Sequence, residues 1–398
     1  MQTGDCHDQG KAVLKTIPFN VPHVTGNEQQ TIAQVFANAT FQGDGAFTRQ
    51  CQDWFKEHYG SAAALMTPSC SMALDMAMIL SGVGPGDEVL IPDFTFVSTA
   101  QSVALRGATP VFCDIRSDTL NIDERRLDEA LTSRTRAIMP VHYAGISADM
   151  AAITDFAERN GLLVIEDAAQ GMGAQSGDRP VGTDGAMAAF SFHASKNIHC
   201  GEAGMLLVND SRLVDAAHIV WEKGTNRHAF LAGKIDKYNW MTLGSSFLSN
   251  ELSAAMLATQ LADLANVTER RRTLWEAYDL AFEPLEREGL MSRPSVPPGV
   301  RHNGHIYYVL FPRREVRDHV HAVLKEQGIG TAFHYPPLHS SPGGQRYGRI
   351  GMDLAVSKDV TSRLLRMPIY TSMEFEAPEY VVSAVRGALG TFPEATRS

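Results

Sequence analysis

A carboxylate, a hydroxyl and an amine open the reading of this chain: Asp167, Ser191 and Lys196. Asp167 follows Glu166 at the end of the apolar run Leu162–Ile165. Ser191 lies in a second apolar run, Met187–Phe192, and Lys196 comes just beyond it. Four apolar residues in a row suit a strand buried on both faces of a parallel sheet. In open α/β sheets, ligands gather beyond the carboxyl ends of the strands. The three side chains are therefore expected to project into one crevice.

That trio suits pyridoxal phosphate (PLP). A lysine forms a Schiff base with the aldehyde, a carboxylate pairs with the pyridinium nitrogen, and a hydroxyl can donate to the phosphate. Each residue also has an ordinary use, Asp167 as a helix cap and Lys196 as a solvated loop lysine. The spacing and the placement at strand ends favour the joint reading.

The surrounding motifs are more specific. EDAAQG, FSFHASKN and GEAGMLLVND, in that order, resemble the fold type I PLP enzymes that aminate nucleotide-linked keto-sugars. Within that family the chain most resembles the dTDP-4-amino-4,6-dideoxygalactose transaminases, from IPFN at Ile17 to the RMPIY segment ending at Tyr370. The resemblance implies an α/β architecture: a mixed, mostly parallel sheet with helices on both faces, plus a smaller α+β C-terminal domain. It also implies a homodimer with shared active sites, L-glutamate as amino donor and a dTDP-keto-sugar as acceptor.

Residue by residue, the resemblance assigns the Schiff base to Lys196 and the pyridine partner to Asp167. Ser69, Cys70 and Ser191 are placed at the phosphate, Phe96 on the ring face and Gln170 beside the ring. Asn250, in GSSFLSNELSAA, is expected to reach the partner's phosphate. Arg227 and Lys234 are candidates for the sugar diphosphate, and His334 in FHYPPLH for the sugar. Relatives that dehydrate sugars carry histidine where this chain has Lys196, which favours transamination. Three alternatives stay open: amination at sugar position 3 or on a UDP-sugar, a PLP-fold binding protein without turnover, and a nicotinamide enzyme. The last lacks its glycine fingerprint, because Gly171-x-Gly173 is too short.

The elements that position these residues are legible in the pattern. Ala62–Met66, Val89–Ile91 and Thr109–Asp114 read as strands, and Arg136–His142 as a strand ending in histidine, with His142 either near the site or structural. Thr67–Ser71 turns into a helix whose free N–H groups make an anion site; a plain serine N-cap is the ordinary alternative. Asn121–Leu131 and Leu213–Trp221 read as helices, and Phe41–Thr48 as a glycine-rich loop, which the resemblance places at the active-site entrance. The polar connection from Glu222 to Met256 is too long for a simple loop and holds Lys223, Arg227, Lys234 and Lys237. Arg270–Arg272 reads as a solvated helix face. Beyond it come a strand at His305–Pro312, a helix at His319–Gln327 and a strand at Thr331–His334. The domain reading is a flexible segment 1–16, a large PLP-binding domain 17–270 and a small domain 271–398, with the proline-rich break Pro294–Gly299 inside the latter.

Composition narrows the partners. With 398 residues there is room for two domains. A net charge of −10 argues against nucleic acid, which calls for a basic surface. Five scattered cysteines without a C-x-x-C pair fit a reducing compartment and supply no metal framework. No paired His/Cys spacing of the zinc type occurs, so no metal is expected. The polar N-terminus and the lack of a long apolar stretch lead to a cytoplasmic protein with no membrane partner.

Overall fold

In the computed structural model, residues 16–393 are described. The expectation for segment 1–16 falls almost wholly outside them. Thirteen short strands follow one another: β1 (Ala63–Thr67), β2 (Glu88–Pro92), β3 (Thr109–Cys113), β4 (Thr135–Ile138), β5 (Leu163–Asp167), β6 (Gln175–Ser176), β7 (Arg179–Pro180), β8 (Met187–Ser191), β9 (Gly204–Val208), β10 (Val300–Arg301), β11 (Tyr307–Leu310), β12 (Arg349–Ile350) and β13 (Leu364–Met367). Eight of them make the central sheet, in the order β1-β9-β8-β5-β4-β2-β3-β12. Strand β9 runs against both neighbours, and every other pairing is parallel. Strands β1, β8 and β9 are buried along their whole length. That is why they read as unbroken apolar runs rather than alternating ones.

Helices cover both faces. The helix Cys70–Leu80 packs against β8 and β9. Its residues Leu74, Met76 and Met78 share a core with Leu65, Leu90 and Ile165. A 24-residue helix, Leu264–Arg287, leaves this layer and runs unbroken through position 270 into a second core. There Tyr278 and Phe282 stack on Tyr307, with ring centroids 5.1 and 5.7 Å apart. Ile17 joins the same core, its amide bonded to the carbonyl of Gly328. The beginning of the described chain is thus packed against its C-terminal part. Among the described residues no helix is long and apolar enough to cross a membrane.

Four local expectations are corrected. Asn121–Leu131 is a 3-10 turn, Glu124–Arg126, followed by one helical turn, Leu127–Ala130; the Asp123 carboxylate accepts the Arg125 amide and starts the turn late. Strand β4 stops at Ile138 rather than His142, since Pro140 has no N–H for a ladder. Thr331–His334 forms only a single bridge, Ala332 with Arg366, because Pro336 and Pro337 follow. Arg271 is buried rather than solvated. Its guanidinium donates to the carbonyls of Gly304, His305 and Ile369, which makes burial tolerable.

The expected loop Phe41–Thr48 holds from Phe41 to Gly45, and its last three residues begin a helix, Ala46–Tyr59, which has no side-chain cap of its own. Glu251 supplies one from a distant part of the chain. Its carboxylate accepts the amides of Gly45, Phe47 and Thr48 at 3.2, 2.9 and 2.9 Å, and the Thr48 hydroxyl as well. A Cβ on Gly45 would lie 2.4 Å from that carboxylate, so only glycine lets it close in. Glu251→Ala strands several of these donors and should cost at least about 2 kcal/mol of stability. An unchanged urea midpoint would contradict this account of the cap.

Candidate active site

Asp167 ends β5 and Ser191 ends β8, and the two strands are adjacent and parallel. Beyond their carboxyl ends opens a cavity of about 910 Å³. Ser69, Cys70, Phe96, Asp167, Gln170, Ser191, Lys196 and His334 all line it. Eight of the eleven residues singled out in the sequence therefore meet in one place.

Lys196 is carried by a tight turn between β8 and β9. The turn closes through Lys196 N–H to the carbonyl of His193 and Ala194 N–H to that of Gly201. Asn197 anchors it from behind, donating to the carbonyl of Asn303 at 2.9 Å and meeting Nδ1 of His305 at 2.8 Å. The amine faces the cavity, and burial lowers its pKa to about 8 from 10.5. The Asp167 charge pulls in the opposite direction, and Arg366 adds to the lowering.

Asp167 is nearly inaccessible, and burial pushes its carboxyl above the ordinary range. The Thr99 hydroxyl at 2.8 Å, the Ala169 amide at 3.1 Å and the Lys196 charge all work to keep it ionised. A cationic ring nitrogen in the cavity would do the same, by supplying the missing positive charge.

The helix Cys70–Leu80 points its N-terminus into the cavity. Ser69 is its N-cap, accepting the Met72 amide at 3.2 Å, so the ordinary reading of Ser69 holds as well. The approach depends on Gly204 at the start of β9. A Cβ there would lie 2.5 to 2.6 Å from the backbone of Ser69 and Cys70. The result is a cup of helix-terminal amides beside the Ser191 hydroxyl, suited to an anion. The Cys70 thiol is pushed well up by burial and so stays neutral there.

The remaining wall residues are held by one another. Gln170 accepts the Ala144 amide at 2.7 Å and donates to the Tyr335 hydroxyl at 3.0 Å, so its amide is committed to the protein. His334 stacks on Tyr335 and bonds Tyr143 through Nδ1 and Arg366 through Nε2. Phe96 stands at the rim as the residue preceding the helix Val97–Leu105, its ring 6.4 Å from that of Tyr335. His142 is fully buried and structural: Nε2 meets Glu166 at 2.9 Å, and Nδ1 accepts the Ala148 amide.

Three candidates lie outside the cavity of their own chain. Arg227 is paired with Glu222 at 2.8 Å, Lys234 is exposed, and Asn250 is an exposed N-cap that accepts the Ser253 amide. The sequence reading did not include Thr99, Gly204, His305, Tyr335 and Arg366. Thr99 lies within the PDFTFVSTA stretch and Tyr335 within FHYPPLH, but neither has a spacing that marks it.

A buried acid, a lysine of lowered pKa and a glycine-cleared helix N-terminus fit PLP at its nitrogen, its aldehyde and its phosphate. Together with the sheet they define a PLP-dependent aminotransferase of fold type I. The chain belongs to the DegT/DnrJ/EryC1/StrS aminotransferase family, whose model matches residues 22–386. It is 33% identical over 378 residues to the spore coat polysaccharide biosynthesis protein SpsC of Bacillus subtilis (strain 168), covering 93% of this chain and 96% of that one. It is 37% identical over 317 residues to a pleiotropic regulatory protein of Geobacillus stearothermophilus, covering 79% and 82%. Among solved structures, the aminotransferase TlmJ from Streptoalloteichus hindustanus superposes with a TM-score of 0.85 at 30% identity, over 94% of this chain and 99% of that one. A DegT DnrJ EryC1 StrS aminotransferase from Brucella abortus gives 0.84 at 29%, over 92% and 96%. This chain is a PLP-dependent sugar aminotransferase.

The lowered pKa of Lys196 is directly measurable. In the cofactor-free protein, labelling of Lys196 by fluorodinitrobenzene should rise through a midpoint near pH 8, against 10.5 for an ordinary lysine. A midpoint at the ordinary value, read by peptide mass spectrometry, would contradict the burial of this amine.

Proposed function

We propose that this protein moves the amino group of L-glutamate to carbon 4 of a dTDP-4-keto-6-deoxyhexose, working as a cytoplasmic homodimer. The observation that carries the transaminase chemistry is Lys196, an amine that shares one cavity with the buried acid Asp167. The choice of position 4 and of dTDP rests on the overall resemblance to that branch of the family.

When bound, PLP supplies an electron sink for the bond broken at the amine-bearing carbon. The chain's own residues do the rest. Asp167, oriented by Thr99 and the Ala169 amide, would accept the N–H of the ring nitrogen and keep that nitrogen charged. Lys196, once free, would take the proton from the donor's amine-bearing carbon as general base and deliver it as general acid to the carbon that the cofactor's aldehyde supplied. Ser191 and the amides at Cys70 and Ser71 are read as the phosphate anchor. The cavity lies within the usual range for burying a small molecule and its cofactor, roughly 300–1,000 Å³.

The dimer reading has its own support. The segment that holds Arg227 and Lys234 exposes Tyr238, Trp240, Met241 and Leu243, with Trp240 77% accessible. Such a cluster of large apolar side chains favours a covering partner. Docked against a second copy, Arg227, Lys234 and Asn250 would add two further cations and an asparagine to the partner's cavity. The likeness to a protein named as a pleiotropic regulator favours, as a second reading, a PLP-binding regulator without turnover.

Spectra of the holoenzyme separate these readings. L-glutamate should bleach the bound PLP band, and dTDP-4-keto-6-deoxyglucose should restore it. Lys196→Ala should abolish both steps while keeping the circular dichroism spectrum. Arg227→Ala should weaken the sugar step about tenfold, roughly 1.4 kcal/mol, and spare the glutamate step. Bleaching that this sugar fails to reverse would move the acceptor to another keto-sugar. A band unmoved by any amino donor would favour the regulator.

A further inference from the structure

A second cavity, of about 490 Å³, opens behind the stacked pair His334 and Tyr335, which line it as well as the first one. Three cations meet there, Arg314 and Arg317 from the first turn of the helix Arg314–Glu326 and Lys358 from the helix Ala355–Arg363. The helix dipole disfavours cations in a first turn, and this helix has no side-chain cap to offset them. Arg317 is only 6% accessible. Its Nε donates to Asp318 at 2.6 Å and its Nη1 to the carbonyl of Leu364 at 3.3 Å, which leaves Nη2 without an acceptor among the described residues. The Phe333 ring, 4.1 Å from its central carbon, holds the plane of the fork. Arg314 shares the same Asp318, at 3.4 Å. The neighbouring Asp359 is taken by Arg363, and among the described residues no ion pair reaches Lys358. In a chain of net charge −10, a pocket with two positive charges in surplus calls for an anion.

The hydroxyls of this pocket are already engaged. Ser340 donates to the carbonyl of Pro337 at 3.1 Å, Thr361 to that of Ser357 at 2.8 Å and Ser362 to that of Asp359 at 2.7 Å. Recognition therefore falls to the charged groups and to His339. The His339 amide donates to one oxygen of the fully buried Asp93, and Nδ1 meets the other, each at 2.8 Å. The Ser357 hydroxyl donates to that second oxygen as well. The ring is thereby fixed, and Nε2 is the edge left for a ligand.

Charge decides the kind of anion. A carboxylate carries one negative charge, and a phosphate monoester about 1.5 to 2 near pH 7, which matches the surplus. Its three terminal oxygens can take donors from Arg314, Arg317 and Lys358 at once. The rest of the wall is apolar: Phe333 is 45% accessible, with Tyr335, Pro336 and Pro337 beside it. A few polar groups in an apolar cavity of this size suit a small organic molecule rather than a bare ion. We propose that this second cavity binds the phosphate monoester of a ring-bearing small molecule, its phosphate at Arg314, Arg317 and Lys358 and its ring against Phe333 and the two prolines. The site is separate from the one for amino transfer and does not depend on the choice of keto-sugar. Its occupant would touch the back of the wall formed by His334 and Tyr335.

The test is calorimetry on PLP-loaded enzyme, whose phosphate cup is then filled, with dTMP, glucose 1-phosphate and inorganic phosphate as probes. At least one ester should bind, at one site per chain and roughly tenfold more tightly than inorganic phosphate. A preference for dTMP would identify a nucleotide site, and one for glucose 1-phosphate a sugar-phosphate site. Arg314→Glu and Lys358→Glu, both at exposed helix positions, should each weaken that binding about tenfold and leave bleaching of the PLP band by L-glutamate at the wild-type rate. Acetylation of Lys358 by acetic anhydride, read by peptide mass spectrometry, should fall when the ester is present, and this readout needs no variant. Failure of both esters to bind at millimolar concentration would overturn the proposal. Binding that both charge reversals leave intact would do the same and assign the ester to the first cavity. Inorganic phosphate binding as tightly as the esters, or Lys358 labelling unmoved by a bound ester, would equally overturn it.

Discussion

A carboxylate buried at a strand end is the constraint on which this structure turns. Asp167 can pair with a cationic ligand only while ionised, and burial opposes ionisation. The protein answers with a hydroxyl from Thr99, an amide from Ala169 and the charge of Lys196, and leaves the last part to the ligand. Each of these comes from a different element: a helix, the turn after β5, and the turn between β8 and β9. The parallel arrangement of β5 and β8 is what brings them to one edge.

Glu166, one residue earlier, shows the opposite solution. It faces away from the cavity and is satisfied entirely by protein, through His142 and the amides of Gly182, Asp184 and Gly185. These contacts outweigh its burial and hold its carboxyl below the ordinary range. Two adjacent acids on one strand point to opposite faces and are held at opposite pKa shifts. Structural and chemical carboxylates are thus told apart by how completely the fold fills their lone pairs. Arg271 and Arg366 form the corresponding pair of cations: Arg271 donates to three carbonyls, while Arg366 makes one bond and faces the cavity.

The cavity is also a joint. Its sheet side belongs to the core around β5 and β8, and its other wall to segments near residues 19, 305, 334 and 366. Asn303 and Asn197 tie the two across the site, the former donating to the carbonyls of Gln170 and Met172. Gly145 makes room for this, since a Cβ there would fall on the Asn303 side chain. A ligand held between these walls touches both cores at once.

Much of this was readable before any coordinates. The apolar runs predicted β1, β5 and β8, because strands buried on both faces leave a continuous signal. Asp167, Ser191 and Lys196 were legible because strand ends concentrate chemistry and because their motifs are distinctive. Eight of eleven candidates converge on the cavity, while Arg227, Lys234 and Asn250 lie outside it. The sequence could not show that Arg271 is buried, that Arg366 lacks an acceptor at Nε, or that Glu251 caps a helix some 200 residues away. A local pattern records which face of an element is apolar, and so it determines the strands and their ends. Which carbonyls, acids or histidines meet a given charge depends on contacts between distant segments, and that only the tertiary structure decided.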